Sequence, residues 1–148
     1  MTDNDRWTDQ HCPVARALDL VGDRWSLLIV RDAIDGARRF SQLQRSLGIA
    51  KNILSDRLRV LVEQGILETQ SNEQGTRKEY VLTSSGRDLF TVIVSLRQWG
   101  ERHAFLAGER HSALVDDTGG GAVPTLRVVN KDGVELTPAN THVHRVDT

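Results

Sequence analysis

Gly36-Ala-Arg-Arg-Phe-Ser-Gln-Leu43 is followed by Gly48-Ile-Ala-Lys-Asn-Ile-Leu-Ser-Asp-Arg-Leu-Arg-Val-Leu-Val-Glu-Gln-Gly-Ile-Leu67 and, past a polar tip ending in Thr76-Arg77-Lys78, by Glu79-Tyr-Val-Leu82. The order is a short helix, a tight turn at Gly48, a second amphipathic helix that stops at Gly65, and two short strands. Leu54, Leu58 and Leu61 recur at helical spacing and mark one buried face. Residues 66–71 and 79–82 read as strands of a hairpin, with Gly75 supplying freedom in the turn. This arrangement predicts an α+β fold of the winged helix-turn-helix type. Such a shape places one helix in a DNA groove and a loop beside it.

Working outward, residues 13–21 read as a helix with Pro13 at its first position and Cys12 at the N-cap, ended by Gly22. Asp23 is expected to cap a helix over 24–35 with Trp25, Leu28, Ile29 and Ala33 inward, and Gly36 to close it. Ser41 is the expected cap of the short helix that ends near Leu47. After the hairpin, Thr83, Ser84 or Ser85 caps a long helix reaching about His103 or Phe105. Its apolar set (Leu89, Phe90, Val92, Ile93, Val94, Leu96 and Trp99) is too wide for one small domain and predicts burial in a partner subunit. Composition changes around 116–121. Beyond it, residues 125–130, the turn 131–133, and residues 134–136 and 141–146 read as a small β-hairpin unit. The expected organisation is a domain over 1–110 and an extension over 111–148.

The net charge of −1 looks unsuited to nucleic acid, but its distribution does not. Residues 38–59 carry six basic side chains against Asp56 alone, a local +5, while residues 111–148 sum to −2. The plain alternative for the basic stretch is a solvated helix face. On the 51–64 helix, Asn52, Ser55, Asp56 and Arg59 fall opposite the leucines, and Lys51 lies at its start. Asn52 has the groups for adenine, and Arg59 or Lys51 could meet guanine or phosphate. Ser55 is short enough for backbone or base edge. Asp56 reads a cytosine amino group or holds Arg59 or Lys51 in place. Arg77 and Lys78 at the hairpin tip suit a neighbouring minor groove or its phosphates. Arg38 and Arg39, with free helix-start amides near Ser41 and Gln42, suit phosphate contact.

Other chemistries find little support. No run approaches the roughly 18 apolar residues of a membrane span. The polar, acidic start is unlike a signal peptide, and the expected location is the cytoplasm. One cysteine excludes an internal disulfide framework. His142 and His144 share a strand face, with His103 or His111 as candidate companions, but they read as surface histidines, so no metal is assigned. No nucleophile elbow or phosphate-binding glycine loop is present, and no enzyme activity or cofactor is expected.

These residues together resemble the HxlR family of bacterial winged-helix transcription regulators, relatives of the MarR group. The matching stretches are 12–25, 28–40, 54–61, Gly65-Ile-Leu67, 79–83 and Gly86, within about residues 11–103. The resemblance implies a homodimer joined by its N-terminal and long C-terminal helices, with one recognition helix per subunit. It implies double-stranded DNA as partner and a near-palindromic operator, with repression the expected sign. A small-molecule effector, using a pocket between long helices and tail, would add to that function. Cys12 matches a cysteine that some members use to sense oxidants or electrophiles, and the positive end of a helix dipole suits such a thiol. The alternative for Cys12 is a packing and capping residue. The alternative for the whole chain is a winged-helix module that docks a protein. Ala50 departs from the serine common at the start of the recognition helix. The wing lacks a proline pair before its Arg-x-Glu-Tyr and is expected to be more mobile. The tail has no cysteine for the metal ribbon that some relatives carry.

Overall fold

The computed structural model describes residues 6–147. They fall into two compact units that meet between Ile93 and Val94. The first holds helices α1 (Pro13–Val21), α2 (Ser26–Ile34), α3 (Phe40–Leu47) and α4 (Lys51–Glu63), strands β1 (Leu67–Ser71) and β2 (Lys78–Leu82), and the short helix α5 (Ser84–Asp88). Helix α6 (Phe90–His103) begins in this unit and ends in the second. The change of composition around 116–121 thus lies well beyond the structural division, because side chains of α6 itself hold the tail.

Local chemistry sets most boundaries. Cys12 occupies the N-cap of α1, its Sγ accepting from the Ala15 amide at 3.4 Å, and Pro13 fills the first helical position. Asp23 accepts from the Trp25 and Ser26 amides at 3.0 and 3.1 Å and from the Ser26 hydroxyl. Helix α2 therefore starts two residues later than expected. Its inward face is Ser26, Ile29 and Val30, with Ala33 packed against them; Leu28 is only half-buried and lies outside that cluster. Helix α3 starts at Phe40, one residue before Ser41, and its N-cap is Arg39. Ser41 is not the cap because the Gln42 side chain closes this helix start instead, its Oε1 accepting from the Arg38 and Arg39 amides at 2.9 and 3.0 Å. Gly48 takes a left-handed conformation (φ 62°) and donates to the Gln44 carbonyl, which turns the chain toward α4 within three residues.

The core of the first unit gathers Ile29, Val30, Leu43, Ile49, Leu54, Leu58, Leu61 and Leu67. Burying each large aliphatic side chain stabilises by about 1.5–3 kcal/mol. β1 and β2 pair antiparallel with Leu67 opposite Leu82 and Ser71 opposite Lys78. Thr83 caps α5, accepting from the Gly86 amide, and its hydroxyl donates back to the Ile66 carbonyl at 3.0 Å. The expected single long helix is broken at Leu89, whose amide bonds back to Gly86 at 3.1 Å in a tightened turn.

In the second unit the expected β-hairpin extension is reduced to antiparallel bridges, one of which spans the expected turn at 131–133. Its only pairings among the described residues are two isolated bridges, Val115 with Ala122 and Val129 with Glu135. Residues 141–146 form no strand. Asp and Asn side chains organise the two turns by accepting from turn amides. Asp116 accepts from the Thr118 and Gly119 amides, and Asn130 from those of Asp132 and Val134. Arg97 donates to the Ser112 carbonyl, and Gln98 both donates to the Pro124 carbonyl at 3.0 Å and accepts from the Leu126 amide at 2.8 Å.

Asp23 also lies 3.6 Å from Arg57 of α4. Partial burial works against its charged form, but the Ser26 and Trp25 hydrogen bonds and Arg57 outweigh it and hold the carboxyl below its ordinary value. A lowered folded-state pKa contributes stability that is complete above the unfolded carboxylate range and lost as pH falls through the folded value. Acid titration of stability should therefore show a decline below about pH 4 that is shallower in Asp23→Asn. Identical acid limbs for both proteins would remove Asp23 from this role.

Candidate nucleic-acid interface

Helix α4 presents two opposed faces. Leu54, Leu58 and Leu61 are almost completely buried, whereas Lys51, Asn52, Ser55, Asp56 and Arg59 are exposed. The register that buries the leucines thereby fixes what faces outward. Ala50 at the N-cap offers no side-chain acceptor, so no side chain covers the amides of the first turn. Asn52 and Ser55 side chains engage no partner among the described residues, whereas Arg59 is already engaged.

The guanidinium of Arg59 lies 2.7 Å from Asp56 and 2.8 Å from Glu63. Asp56 also receives Arg57 at 2.8 Å. Hydrogen bonds from Arg57 and then Arg59 hold the Asp56 carboxyl below its usual range. Of the two readings of Asp56, the geometry of the free chain favours the one in which it holds Arg59. Lys51 has no part in that contact. Glu63 was not among the expected site residues, although its spacing of four from Arg59 on a helix is a visible signal. The Arg57–Asp23 contact had no such signal, being made between separate elements.

Arg38 and Arg39 precede α3, with Arg38 exposed and Arg39 partly so. Ser41 is exposed in the first turn. The Gln42 amide is not free as expected: it donates to the Arg39 carbonyl at 3.1 Å while the side chain closes the loop. Gln42 thus shapes the approach to α3. The wing tip is organised by Asn72, whose Oδ1 accepts from the Thr76 and Arg77 amides at 2.9 and 3.3 Å and whose amide donates to the Arg77 carbonyl. These bonds tie a loop that lacks the proline pair. Arg77 and Lys78 are exposed there, with the Lys78 ammonium 5.3 Å from the centroid of the Tyr80 ring. The Tyr80 amide donates to the Arg38 carbonyl at 2.6 Å, which joins the wing to the loop before α3. Helix α4, the α3 approach and the wing are thus presented by one unit.

The description of HxlR-like helix-turn-helix proteins matches residues 20–106. The chain belongs to the HxlR-like family. Its fold and sequence are shared with named relatives. The HTH-type transcriptional regulator Rv3095 of Mycobacterium tuberculosis is 54% identical over 91 residues, 61% of this chain and 58% of that one. The chain thus spans under two thirds of that relative's length. YybR of Bacillus subtilis, also an HTH-type transcriptional regulator, is 34% identical over 72% of this chain and 87% of its own. Among solved structures, PA1607 is 48% identical, covers 98% of this chain and 100% of its own, and superposes with a TM-score of 0.89. The redox regulator HypR in its reduced form is 32% identical over 63% of this chain and 94% of its own, with a TM-score of 0.58. The match to PA1607 extends through the tail, whereas that to HypR covers less than two thirds of the chain. The HxlR-like family is one of transcriptional regulators with a winged helix-turn-helix. No helix among the described residues is long and apolar enough to cross a membrane.

Proposed function

We propose that this HxlR-like protein is a sequence-specific DNA-binding regulator of transcription that works in the cytoplasm as a homodimer. The observation that carries this reading is the exposed polar face of α4, where Lys51, Asn52, Ser55, Asp56 and Arg59 stand opposite three buried leucines. In this reading α4 enters the major groove. Arg38, Arg39 and Ser41 meet phosphates beside it, Gln42 holds their loop, and Arg77 and Lys78 reach the flanking backbone. Exposed apolar stripes support dimer formation: Val14 and Leu18 on α1, and Val92, Leu96 and Trp99 on α6. Two-fold symmetry then predicts a near-palindromic operator with recognition helices about 34 Å apart. Repression follows if the operator overlaps a promoter. Docking of a protein partner is the weaker reading, since Ile53 is the one large apolar side chain that α4 exposes among the described residues.

The test is binding to DNA upstream of the protein's own gene and its neighbours, against shuffled DNA, across a salt series. The expected result is a preference for one site with a steep salt dependence. Arg59→Ala should flatten the preference among sequences, whereas Arg77→Ala should weaken all sequences alike and lower the salt slope by about 1. Equal losses from both, with preference intact, would contradict these roles.

Cys12 is half-buried at the start of α1. We assign it oxidant or electrophile sensing, a reading supported by the likeness to HypR. Complete alkylation of Cys12 should then lower operator affinity, while a Cys12→Ser protein treated in the same way stays unchanged. Full modification with unaltered affinity would sink the assignment.

A further inference from the structure

A cavity of about 530 Å³ opens in the first unit between the end of α2, the β1–β2 sheet and the start of α6. That volume is within the range of small-molecule sites. Its lining divides by chemistry. Ile34 and Phe90 contribute apolar surface, Phe90 being 45% exposed, and Arg38, Arg87, Tyr80 and Glu68 contribute polar groups. Arg87 spends one guanidinium nitrogen on the Leu82 carbonyl at 2.9 Å, which steadies the group and leaves its other donors available. Neither Arg38 nor Arg87 forms an ion pair among the described residues, in contrast to Arg57 and Arg59. The Tyr80 hydroxyl likewise has no partner there. Two guanidinium groups against one carboxylate leave the cavity with a surplus of one positive charge.

We propose that this cavity is a binding site for a small amphipathic monocarboxylate, with a flat apolar body against Ile34 and Phe90 and its carboxylate on the guanidinium donors of Arg38 and Arg87. Planar, forked donors favour a carboxylate over a point anion. Glu68 opposes a second negative charge, so the site discriminates against phosphate and dicarboxylates. Occupancy also has a route to the DNA-facing surface. The Arg38 amide bonds to Gln42 at 2.9 Å, and its carbonyl accepts from Tyr80 at 2.6 Å. A ligand that draws the Arg38 side chain inward withholds it from phosphate and loads both the α3 approach and the wing. This second step rests on the DNA-binding reading; the site itself does not.

The experiment is therefore calorimetric titration of the full DNA-free chain with 1-naphthoate, uncharged 1-naphthylmethanol and inorganic phosphate. Saturable binding of 1-naphthoate is expected, with the alcohol at least about tenfold weaker and phosphate not binding. Arg87→Met should weaken 1-naphthoate about tenfold, and Glu68→Gln should tighten it about threefold. The Glu68 change keeps side-chain shape, so it carries the test even if the Arg87 variant melts early. No saturable binding, equal binding of the alcohol, phosphate binding as well as naphthoate, or indifference to Glu68→Gln would each overturn the site. With binding established, 1-naphthoate should lower operator affinity. Unchanged operator affinity at saturation would overturn the coupling and leave the site standing.

Discussion

Replacing Asn52 with Ala is expected to cost this protein most of its sequence preference while sparing its fold. Asn52 stands in the first turn of α4, exposed and without a partner among the described residues. The first turns of a recognition helix come closest to base edges. An asparagine amide can pair bidentately with adenine, and such a pair discriminates by roughly 1–3 kcal/mol. That corresponds to about 5- to 150-fold in affinity per half-site, and the free energy counts twice in a symmetric dimer. Because Asn52 is free, nothing must be broken to aim it at a base, unlike Arg59, which is held by Asp56 and Glu63. Stability should stay within about 0.5 kcal/mol, since the site is on the surface and Ala favours helix. Fluorescence anisotropy on operator and shuffled duplexes reads the outcome. A large loss on the operator with little change on shuffled DNA is expected; parallel losses on both would make Asn52 a backbone contact.

What the sequence made legible follows from how local each signal is. The outward set of α4 was readable because Leu54, Leu58 and Leu61 fix the helix register within a single segment. The N-cap role of Cys12 and the turn at Gly48 were readable for the same reason. Ser41 misled because Gln42, with a longer side chain three residues into the helix, captures the two preceding amides. The break at Leu89 left no trace, since neither proline nor glycine marks it. The tail misled more broadly. Alternating residues and an Asp-Gly turn suggest strands; the turns form, organised by Asp116 and Asn130, but the pairing across them stops at isolated bridges. The cavity was invisible for another reason: its wall is assembled from residues 33–38, 68–70, 80–82 and 87–90, which only the tertiary fold brings together.

Gly86→Ala should be a damaging single methyl group, with a net loss of up to about 2 kcal/mol. Gly86 is buried in α5, and a Cβ there would stand 2.3 Å from the Ile66 carbonyl oxygen and 3.0 Å from Leu82 Cδ2. The carbonyl cannot readily yield, because the Thr83 amide and hydroxyl both hold it at 3.0 Å. Overpacking of this kind costs roughly 1–3 kcal/mol and occasionally more. The better helix propensity of Ala returns only about 1 kcal/mol of it. Gly100 in α6 supplies the internal control, since a Cβ there meets nothing within 4 Å. Gly100→Ala should stabilise by about 0.5–1 kcal/mol through propensity alone. Urea denaturation should therefore move the two midpoints in opposite directions. A neutral Gly86→Ala would show that α5 does not press on the α4–β1 junction. The functional stake lies in that same contact: Leu82 ends the second wing strand and lines the cavity beside Arg87. A methyl group that displaces it should disturb wing and cavity together, even in the fraction of molecules that stay folded.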